Sequence, residues 1–384
     1  MHGTIEFLYH VEWRPLAELA PIAAQWRALA ACALEPNVFY EPAFALAAQG
    51  VFGRDAGAGL VWSRTSPPRL LGIFPALIER RRYGVKLSVL AGWTHPFAPF
   101  GAPLVDREAG EPVIGAWLDH LASQSELPRL MLLPYFPVEG PLARAFDSAL
   151  ARRGGSSVSF ASHQRALLAP AGERAGYLDR ALGQKKRKEL RRQRRRLGDS
   201  GVVMWGIATE PAPLASALDD FLALEAAGWK GRTGTAARSH ADIRQFMQTA
   251  VAHLAGEGKA QIARLFLDAR SVAAIIVLRS GETAWCWKIG YDETVARASP
   301  GVQLLSNVTE ALLADISIAR ADSCATPNHP MIDHIWRERL ALADRLIRVG
   351  RGGAVAFALA CALETLRRAA VAGAKRVRDL MRRQ

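Results

Sequence analysis

Residues 285–305 run Trp285-Cys286-Trp287-Lys288-Ile289-Gly290-Tyr291-Asp292 and, six residues later, Ser299-Pro300-Gly301-Val302-Gln303-Leu304-Leu305. The first run is aromatic and apolar, which predicts a β-strand. The Ser-Pro-Gly sequence predicts a tight turn, and apolar residues with helical spacing follow it at once. Backbone N–H groups at a helix N-terminus lack partners and attract anions. The stretch therefore predicts a strand, turn and helix start that together bind a phosphate group.

Length and composition indicate a globular protein with a substantial core. The chain has 384 residues, half of them apolar, which is enough for two domains of ordinary size. The cysteines, Cys32, Cys286, Cys324 and Cys361, form no CxxC pair and no Cys/His cluster with zinc spacing. This pattern argues against a disulfide framework and against a metal site, and it fits a reducing cytoplasm.

Targeting signals are not apparent. The first residues lack a basic region followed by an apolar core, so we expect no signal peptide. The longest apolar run, Gly352 to Leu363, is shorter than the roughly 20 residues that span a bilayer. We therefore expect a cytoplasmic protein that can still touch a membrane surface.

The net charge of +13 is concentrated in two segments. Lys185 to Arg196 contains nine basic residues against one glutamate, and Leu346 to Gln384 contains nine against two acids. The rest of the chain is close to neutral. The body of the protein is therefore not expected to bind nucleic acid through a broad basic surface.

Both halves of the chain predict helices first, then a strand meander, a crossover helix and closing strands. In the first half the pattern predicts a helix over 12–30, a short helix from Phe39 to Phe44, strands over 60–63, 70–79, 130–134 and 158–168, a loop over 94–103, and helices over 112–121 and 142–152. In the second half it predicts one basic helix over 177–197, helices over 214–227, from an N-cap at Ser239 to Ala255, and over 302–318, and strands over 202–208, 259–267, 272–278, 283–291 and 339–349. No residue-level repeat is visible, so a duplicated architecture is a weak inference at this point.

The second half resembles the CelD/BcsL-type acyltransferases of the GCN5-related N-acetyltransferase (GNAT) superfamily, which are associated with cellulose biosynthesis. The resemblance covers about residues 175–348. It is carried, in order, by Lys185 to Leu197, Leu224 to Gly231, Gly234-Thr235-Ala236, Trp287-Lys288-Ile289, Tyr291-Asp292-Glu293, Ser299-Pro300-Gly301, Asp322-Ser323-Cys324-Ala325, Pro327, His329 to Asp333, and Trp336. The first half resembles the family more loosely, at Phe39-Tyr40-Glu41-Pro42 and Pro103-Leu104-Val105-Asp106.

The resemblance implies an α/β (α+β) fold of two tandem GNAT-like domains, each a mixed, mostly antiparallel sheet flanked by helices, as in the FemAB-type aminoacyltransferases. It implies an acyl-CoA donor such as acetyl-CoA, and no metal. We expect an N-terminal domain over 1–172, a basic linking helix over 173–200, a catalytic domain over 201–349 and a basic amphipathic helix over 350–384. The acceptor, an amine or a hydroxyl, is not identified by the resemblance, because fold does not carry substrate.

In the resemblance, the turn after the predicted strand corresponds to the superfamily's pyrophosphate loop, Arg/Gln-x-x-Gly-x-Gly/Ala. Gly301-Val302-Gln303 keeps one glycine and lacks the second. The expected cofactor-binding residues are Arg297, Ser299, Pro300, Gly301, Val302 and Gln303. The alternative is an ordinary strand-to-helix turn.

Four residues are candidates for proton transfer. Acyl transfer from a thioester needs a base for the nucleophile and an acid for the leaving thiolate. Glu225, Asp322 and His329 are candidate bases, and Tyr291 is a candidate acid. The alternatives are a solvated glutamate, a helix cap at Asp322 and a strand-end aromatic residue. Cys324 is expected to be a buried thiol more readily than an acylated nucleophile.

Trp229, Lys230 and Lys288 are candidate substrate-binding residues. Trp229 and Lys230 open a polar, glycine-rich loop, and the alternative is a solvent-facing lysine beside a packing tryptophan. Strand alternation predicts Trp285, Trp287 and Ile289 on one face and Cys286, Lys288 and Gly290 on the other. A lysine in a central strand must face a cleft or an acidic partner, since burying it unpaired is costly.

The two basic segments differ in pattern. The charges of 185–196 surround the helix, which favours a solvated face; RNA, an anionic polysaccharide or the phosphates of CoA are alternatives. Near the C-terminus, Leu363, Leu366, Ala370, Gly373, Val377 and Leu380 share a stripe, and Arg367, Arg368, Lys375, Arg378 and Arg382 lie off it. That pattern suits an anionic membrane surface, or packing on this protein or a second subunit.

Three functions therefore remain open. The first is an acyl-CoA-dependent acyltransferase, with an acceptor in cellulose or other envelope polysaccharide biosynthesis. The second is a FemAB-like aminoacyltransferase that takes its donor from tRNA. The third is a non-catalytic protein with this fold that acts at a membrane surface.

Overall fold

The computed structural model describes the backbone of residues 8–381 and the side chains of residues 8–374. The strands are β1 (Tyr9–Pro15), β2 (Ala56–Ser63), β3 (Leu70–Glu79), β4 (Val89–Gly92), β5 (Leu104–Val105), β6 (Leu130–Pro137), β7 (Ser156–Leu168), β8 (Val203–Ala208), β9 (Ala260–Leu267), β10 (Arg270–Ser280), β11 (Thr283–Tyr291), β12 (Arg320–Asp322) and β13 (Glu338–Arg348). The helices are α1 (Ala23–Ala31), α2 (Pro42–Phe52), α3 (Gly110–Ser123), α4 (Pro141–Arg153), α5 (Tyr177–Ala181), α6 (Gln184–Gly198), α7 (Pro211–Ala227), α8 (Trp229–Arg232), α9 (Ala241–Gly256), α10 (Pro300–Ala314) and α11 (Ala354–Met381).

The strands of the described residues form one continuous, mostly antiparallel sheet. Its order is β1-β2-β3-β4-β6-β13-β7-β12-β11-β10-β9-β8, and β5 pairs with β3. Two parallel pairs interrupt the antiparallel pattern, β4 with β6 and β11 with β12. The expected mixed sheet with flanking helices is confirmed.

The two halves share the sheet. Strand β13, from the end of the second half, lies between β6 and β7 of the first half. Strand β7 in turn pairs with β12. The domain boundaries near residues 172, 200 and 349 stay a prediction. Strands from different predicted domains are hydrogen-bonded to one another.

Apolar side chains fill both faces of the sheet. On one face, Phe44 of α2 packs edge-on against Phe246 of α9, with ring centroids 5.3 Å apart, and so joins the halves. On the other face, Leu304 and Leu305 of α10 pack with Trp336. Each fully buried side chain of this size contributes about 1.5–3 kcal/mol. The sheet is therefore held rigidly around the β11–β12 junction.

Several predicted boundaries were wrong. Residues 9–15 form strand β1 paired with β2, and the predicted helix begins only at Ala23, because Trp13 stacks on Trp117 from a strand. The basic helix is divided into α5 and α6, since Leu182 is extended. Ser239 ends a 3-10 turn, and His240 takes the N-cap position of α9. Helix α10 ends at Ala314, where Asp315 caps the following turn through the N–H of Ser317.

Helix α11 docks on the sheet through one face. Glu364 is fully buried and pairs with Arg367 and Arg368. The opposite face is apolar and open, with Val355 84% and Leu366 65% exposed. The predicted single stripe is thus divided, since Leu363 faces the body and Leu366 does not. The predicted positions Lys375, Val377, Arg378, Leu380 and Arg382 lie outside the residues whose side chains are described.

Candidate active site

Strands β11 and β12 separate soon after they meet. They pair only from Thr283 to Trp285, and β12 ends at Asp322. From Cys286 onward, the edge of β11 that faces away from β10 has no strand partner in the described part of the chain. We name the space between residues 286–289 and the segment 323–331 the second-half wedge. Unpaired backbone groups on such an edge are available to a ligand.

A β-bulge lies in β11 at the wedge. Val277 of β10 pairs with Cys286, whereas Ile276 pairs with Lys288, so Trp287 is an extra residue. One extra residue reverses the alternation of the side chains that follow. The predicted alternation was therefore wrong: Lys288 joins Trp287 on one face, and Ile289 packs into the opposite core.

A buried ion pair fixes the point at which the strands separate. Arg165 of β7 pairs with Asp322, and the two side chains are only 2% and 3% exposed. The second oxygen of Asp322 accepts the N–H of Cys324 at 2.9 Å, and Cys324 has a φ of 52°. Asp322 thereby stabilises the left-handed turn that carries the chain away from β11. Arg165 also donates to the carbonyl of Pro99 at 2.8 Å.

The start of α10 abuts the end of β11. Ser299 has a φ of 50°, and its carbonyl accepts the N–H groups of Val302 and Gln303. The N–H of Gly301 has no protein partner among the described residues. A Cβ at Gly301 would lie 3.3 Å from Tyr291 and 3.5 Å from Ile289. The expected turn therefore sits beside the wedge, with one free backbone donor.

The side chain of Gln303 is occupied by the protein itself. Its amide nitrogen donates to the carbonyl of Ala298 at 2.6 Å, and its oxygen accepts from Arg194 at 3.4 Å. Pro300 is buried, whereas Arg297 is exposed on the 3-10 turn that precedes α10. Gln303 thus ties the turn to α6, and Arg297 is free to meet an anion.

Helix α6 runs beside α10 and supplies cations there. A groove of about 330 Å³ lies between them and α5, with the arginines on one wall and polar α10 side chains on the other. Its members include Arg187, Arg191, Arg194, Ser306 and Asn307. Burial lowers the pKa of Arg194, which stays charged at neutral pH.

Glu225 and Lys230 form an ion pair on the other side of β11. Glu225 is buried, and its two oxygens accept from the Lys230 ammonium at 2.6 Å and the Ala237 N–H at 2.9 Å. A Cβ at Gly290 would lie 3.5 Å from the backbone nitrogen of Glu225. Both predicted residues therefore lie close to β11, and Glu225 is fully hydrogen-bonded.

Lys288 meets a loop from the first half of the chain. Its ammonium donates to the carbonyl of Pro96 at 3.3 Å and lies 4.3 Å from the centroid of the Phe97 ring. The indole of Trp287 donates to the carbonyl of Phe97 at 2.7 Å. Burial, together with the charge of Lys230, lowers the pKa of Lys288 to about 8. Residues 94–100 thus form one wall of the site.

His95 lies within this wall. Its ring stacks on Phe52 with centroids 4.3 Å apart, and neither ring nitrogen has a hydrogen-bond partner among the described residues. Burial, with the charge of Lys288, lowers the pKa of His95 to about 3, so the ring is neutral. Burial also raises the pKa of Cys324 well above its usual value, with Asp322 adding to the effect. Cys324 is therefore a thiol at neutral pH, which disfavours a nucleophilic role.

The remaining predicted residues lie near the helix start and the mouth of the site. Tyr291 is 39% exposed beside Gly301, and Trp229 is 57% exposed. Nδ1 of His329 accepts the N–H of Met331 at 3.3 Å, and burial lowers the pKa of its ring. Met331 faces Gly301, so His329 is two residues from that contact.

The structure therefore groups most of the predicted residues around β11. Glu225, Lys230 and Lys288 lie near the bulge, and Tyr291 and residues 297–303 lie at the strand end. Sequence reasoning missed Arg165 and the contacts of Pro96 and Phe97, since these join distant segments. Arg194, by contrast, belongs to the basic run 185–196, for which CoA phosphates were one expected partner. In the described side chains, no group of three or more His, Cys, Asp or Glu residues is arranged to hold a metal.

Comparison with known proteins identifies the fold. Residues 184–327 match the family model of the acetyltransferase (GNAT) domain. A crystal structure of FemX is similar, with a TM-score of 0.58 and 10% identity over 85% of this chain and 96% of that one. The C-terminal domain (DUF2156) of a putative lysylphosphatidylglycerol synthetase from Agrobacterium fabrum has a TM-score of 0.55 and 11% identity, covering 90% and 96% of the two chains.

A protein of unknown function from Bacteroides thetaiotaomicron is also similar, with a TM-score of 0.53 and 10% identity over 89% of this chain and all of that one. No curated protein matches the sequence. At these identities the likenesses concern the fold alone. The chain has a GNAT-type fold, and residues 184–327 are the part that matches the acetyltransferase (GNAT) domain model.

Proposed function

We propose that this protein is an acyl-CoA-dependent acyltransferase that transfers an acetyl or other acyl group to an amine or hydroxyl. The observation that carries the proposal is the separation of β11 from β12 directly beside the start of α10. It places an open strand edge and a helix N-terminus within reach of one extended donor. Both lie within the segment that matches the acetyltransferase domain.

The residues around the wedge fit such a donor. Gly301 leaves space beside Tyr291 and Ile289 that a side chain would fill, and its N–H is free among the described groups. Arg297 and the arginines of α6 supply positive charge for phosphates. The open edge of β11 can polarise a thioester carbonyl through backbone N–H groups. Acyl-CoA would supply the activated acyl group.

Proton transfer is assigned from the hydrogen bonds. Glu225 and Asp322 are held in ion pairs, which disfavours either as a free base. His329 is neutral at pH 7, because burial lowers the pKa of its ring, and it forms no ion pair in the described structure. We assign the base to His329 and the acid for the leaving thiolate to Tyr291, which is exposed beside the helix start.

Calorimetric titration with acetyl-CoA and with CoA tests the donor. We expect binding to the wild-type protein and its loss in Gly301→Asp, which adds bulk and negative charge at the free N–H. Gly50→Asp is the matched control, because a Cβ at Gly50 meets nothing within 4 Å. The absence of binding to wild type at millimolar CoA would overturn the proposal and favour a non-catalytic protein.

The resemblance to cellulose-associated acyltransferases supports an acceptor in cellulose or other envelope polysaccharide biosynthesis. The cytoplasmic location proposed with it is compatible with the described cysteines, which are all unpaired. Incubation with radiolabelled acetyl-CoA and membrane or sugar fractions tests this acceptor class. Label that appears only in protein would count against it.

A second candidate donor is aminoacyl-tRNA. It is favoured by the outward face of α6, where Lys185, Lys186, Lys188, Arg195 and Arg196 are exposed. Binding of charged tRNA should then fall steeply with salt, since phosphate contacts release counterions. A wild-type protein that binds tRNA but not CoA would establish this alternative in place of the first.

We also propose that α11 contacts an anionic membrane surface. Its open face carries Val355, Leu359 and Leu366, and the neighbouring β3–β4 hairpin contributes exposed Arg80, Arg81 and Lys86. No helix of the described residues is long and apolar enough to cross a bilayer. Exposed apolar groups beside exposed basic groups fit anionic headgroups.

Sedimentation with vesicles tests the contact. We expect more protein to bind vesicles of phosphatidylcholine with phosphatidylglycerol than of phosphatidylcholine alone. Leu366→Glu should reduce this binding, whereas Ser123→Glu, at the exposed end of α3, is the control and should leave it unchanged. Equal binding to both vesicle types would contradict the proposal. A dimer in solution that Leu366→Glu dissociates would also contradict it, because the open face of α11 would then be a subunit interface.

A further inference from the structure

We propose that the acceptor carries an anionic oxygen group, a carboxylate or a phosphate, and that Lys288 binds it. The inference rests on the proposed acyltransfer, because it names the chemistry of the second substrate at that site. Its basis is the position of the Lys288 ammonium, which has no carboxylate partner although the neighbouring Lys230 and Arg232 have one each.

Apart from the cations beside α10, the cations near the β11 bulge have carboxylate partners, except for Lys288. Lys230 pairs with Glu225 at 2.6 Å, Arg232 pairs with Glu293 at 2.7 Å, and Arg165 pairs with Asp322. Lys288 has no carboxylate within 4.0 Å in the described structure. Its contacts are the Pro96 carbonyl and the Phe97 ring.

An ammonium without a counter-ion is unfavourable in this position. The side chain is half-buried between β11, the 94–100 loop and the α7–α8 junction. A carbonyl and an aromatic ring replace only part of the hydration that is lost. The pKa of Lys288, lowered to about 8 mainly by burial, still leaves the group largely charged at neutral pH. Lys288 is therefore a positive charge beside the bulge that a ligand anion can neutralise.

The position of the ammonium relates it to the reaction. Lys288 directly follows the bulged Trp287, so it is adjacent to the open edge of β11. Trp229, at the mouth, is exposed and close to Lys230, and offers an apolar surface. An acceptor whose anion contacts Lys288 would therefore hold its nucleophile near the donor's acyl group. This anchoring differs from phosphate binding at α10, because Lys288 lies with Trp287 and Phe97 on one face of β11, whereas the start of α10 contacts Ile289 on the other.

Nuclear magnetic resonance of the lysine side chain tests binding directly. In protein labelled at lysine Cε and saturated with CoA, the Lys288 signal is assigned by its absence in Lys288→Arg. Saturating succinate or inorganic phosphate should raise the pKa of Lys288 by about one unit or more, as an opposite charge does. Succinamide, the neutral control, should leave it unchanged. Unchanged titration with both anions would overturn the inference.

Turnover provides the second test. CoA release is measured with acetyl-CoA and paired acceptors, glutamate against glutamine and glucosamine 6-phosphate against glucosamine. We expect kcat/KM to be higher for the anionic acceptor of each pair. Lys288→Gln should reduce that preference by about tenfold, the effect expected from the loss of a hydrogen bond to a charged group. Lys288→Arg should retain most of it, and Arg244→Gln, at an exposed position on α9, should not alter it.

The outcomes separate the two proposals. Failure of acetyl-CoA to bind wild type would refute the acyltransferase, whereas donor binding without anion preference would refute only this inference. Loss of kcat for neutral and anionic acceptors alike in Lys288→Gln, with a changed pH profile, would make Lys288 a proton acceptor and overturn its role as an anion site. Circular dichroism of each variant confirms that it is folded.

Discussion

Two parallel strand pairs in the sheet separate in a similar way, but only one of the two gaps is left open. In the first half, β4 and β6 pair at Leu90–Met131 and Ala91–Leu132 and then part. In the second half, β11 and β12 part after Trp285 and Asp322. The first gap is filled by the protein's own chain, whereas the second is bordered by two ion pairs, Lys288 and the start of α10.

The segment that fills the first gap is Phe100–Ala102. The N–H of Gly101 donates to the carbonyl of Tyr135 at 3.2 Å, and a Cβ at Gly101 would overlap the carbonyl oxygen of Pro134. The side chain of Asn37 donates to the carbonyls on both sides, those of Phe100 and Ala102. Backbone thus occupies the place where a ligand would lie.

The helices that follow the two gaps differ in charge. The first turn of α3 contains Glu111, which pairs with Arg152 and accepts from Ser148. The first turn of α10 contains no acid, and Arg194 lies beside it. Since an acid at a helix N-terminus repels a bound anion, only α10 suits a phosphate. The same arrangement therefore supports the fold in one half and forms a candidate site in the other.

The largest expected effect comes from Arg165, which contacts both regions. Arg165→Met removes the partner of buried Asp322 and the hydrogen bond to Pro99. An uncompensated buried charge costs about 3–5 kcal/mol, so we expect a loss of that size in urea unfolding. The double variant Arg165→Met with Asp322→Leu should recover part of it. A loss below 1 kcal/mol in the single variant would show that the pair does not hold the wedge.

Two glycines offer the sharpest contrast between the gaps. Gly101→Ala should destabilise the fold by about 1–3 kcal/mol, because the added methyl meets backbone. Gly301→Ala places its methyl 3.3–3.6 Å from side chains, and should leave the free energy of unfolding nearly unchanged while weakening acetyl-CoA binding. Thermal unfolding and calorimetry measure the two effects. If Gly301→Ala binds acetyl-CoA normally and Gly101→Ala does not, the roles of the gaps are reversed.

Local sequence patterns predicted part of the fold. The meander over β9–β11 and the start of α10 were predictable from apolar runs and the Ser-Pro-Gly turn, and the mixed sheet followed from the resemblance. The bulge at Trp287 was not predictable, because a strand pattern does not show which residue lacks a partner. The Arg165–Asp322 pair joins residues 157 positions apart, and strand β13 pairs with distant β6 and β7. Those features arise from tertiary packing.

His95, in the loop that leads into the segment filling the first gap, should make the free energy of unfolding depend on pH. The pKa of His95 is lowered to about 3 in the folded protein from 6.5, so the unfolded chain binds the extra proton between those values. Its contribution is complete above pH 6.5 and falls by up to about 1.4 kcal/mol per pH unit below it. His95→Phe keeps the stack on Phe52 and should flatten this part of the profile. Parallel profiles for wild type and variant would exclude His95 as the cause.

The smallest expected effect concerns the charges beside the two helix starts. Arg194→Gln removes a cation from the start of α10, and we expect acetyl-CoA affinity to fall roughly threefold to tenfold, as for a lost phosphate contact. Because salt screens such contacts, the difference in acetyl-CoA affinity between the variant and wild type should be smaller in about 0.5 M NaCl than in about 0.1 M NaCl. Arg152→Gln, beside the start of α3, is the matched control and should leave the affinity unchanged. An equal loss in both variants would mean that net charge, and not the open gap, attracts the donor.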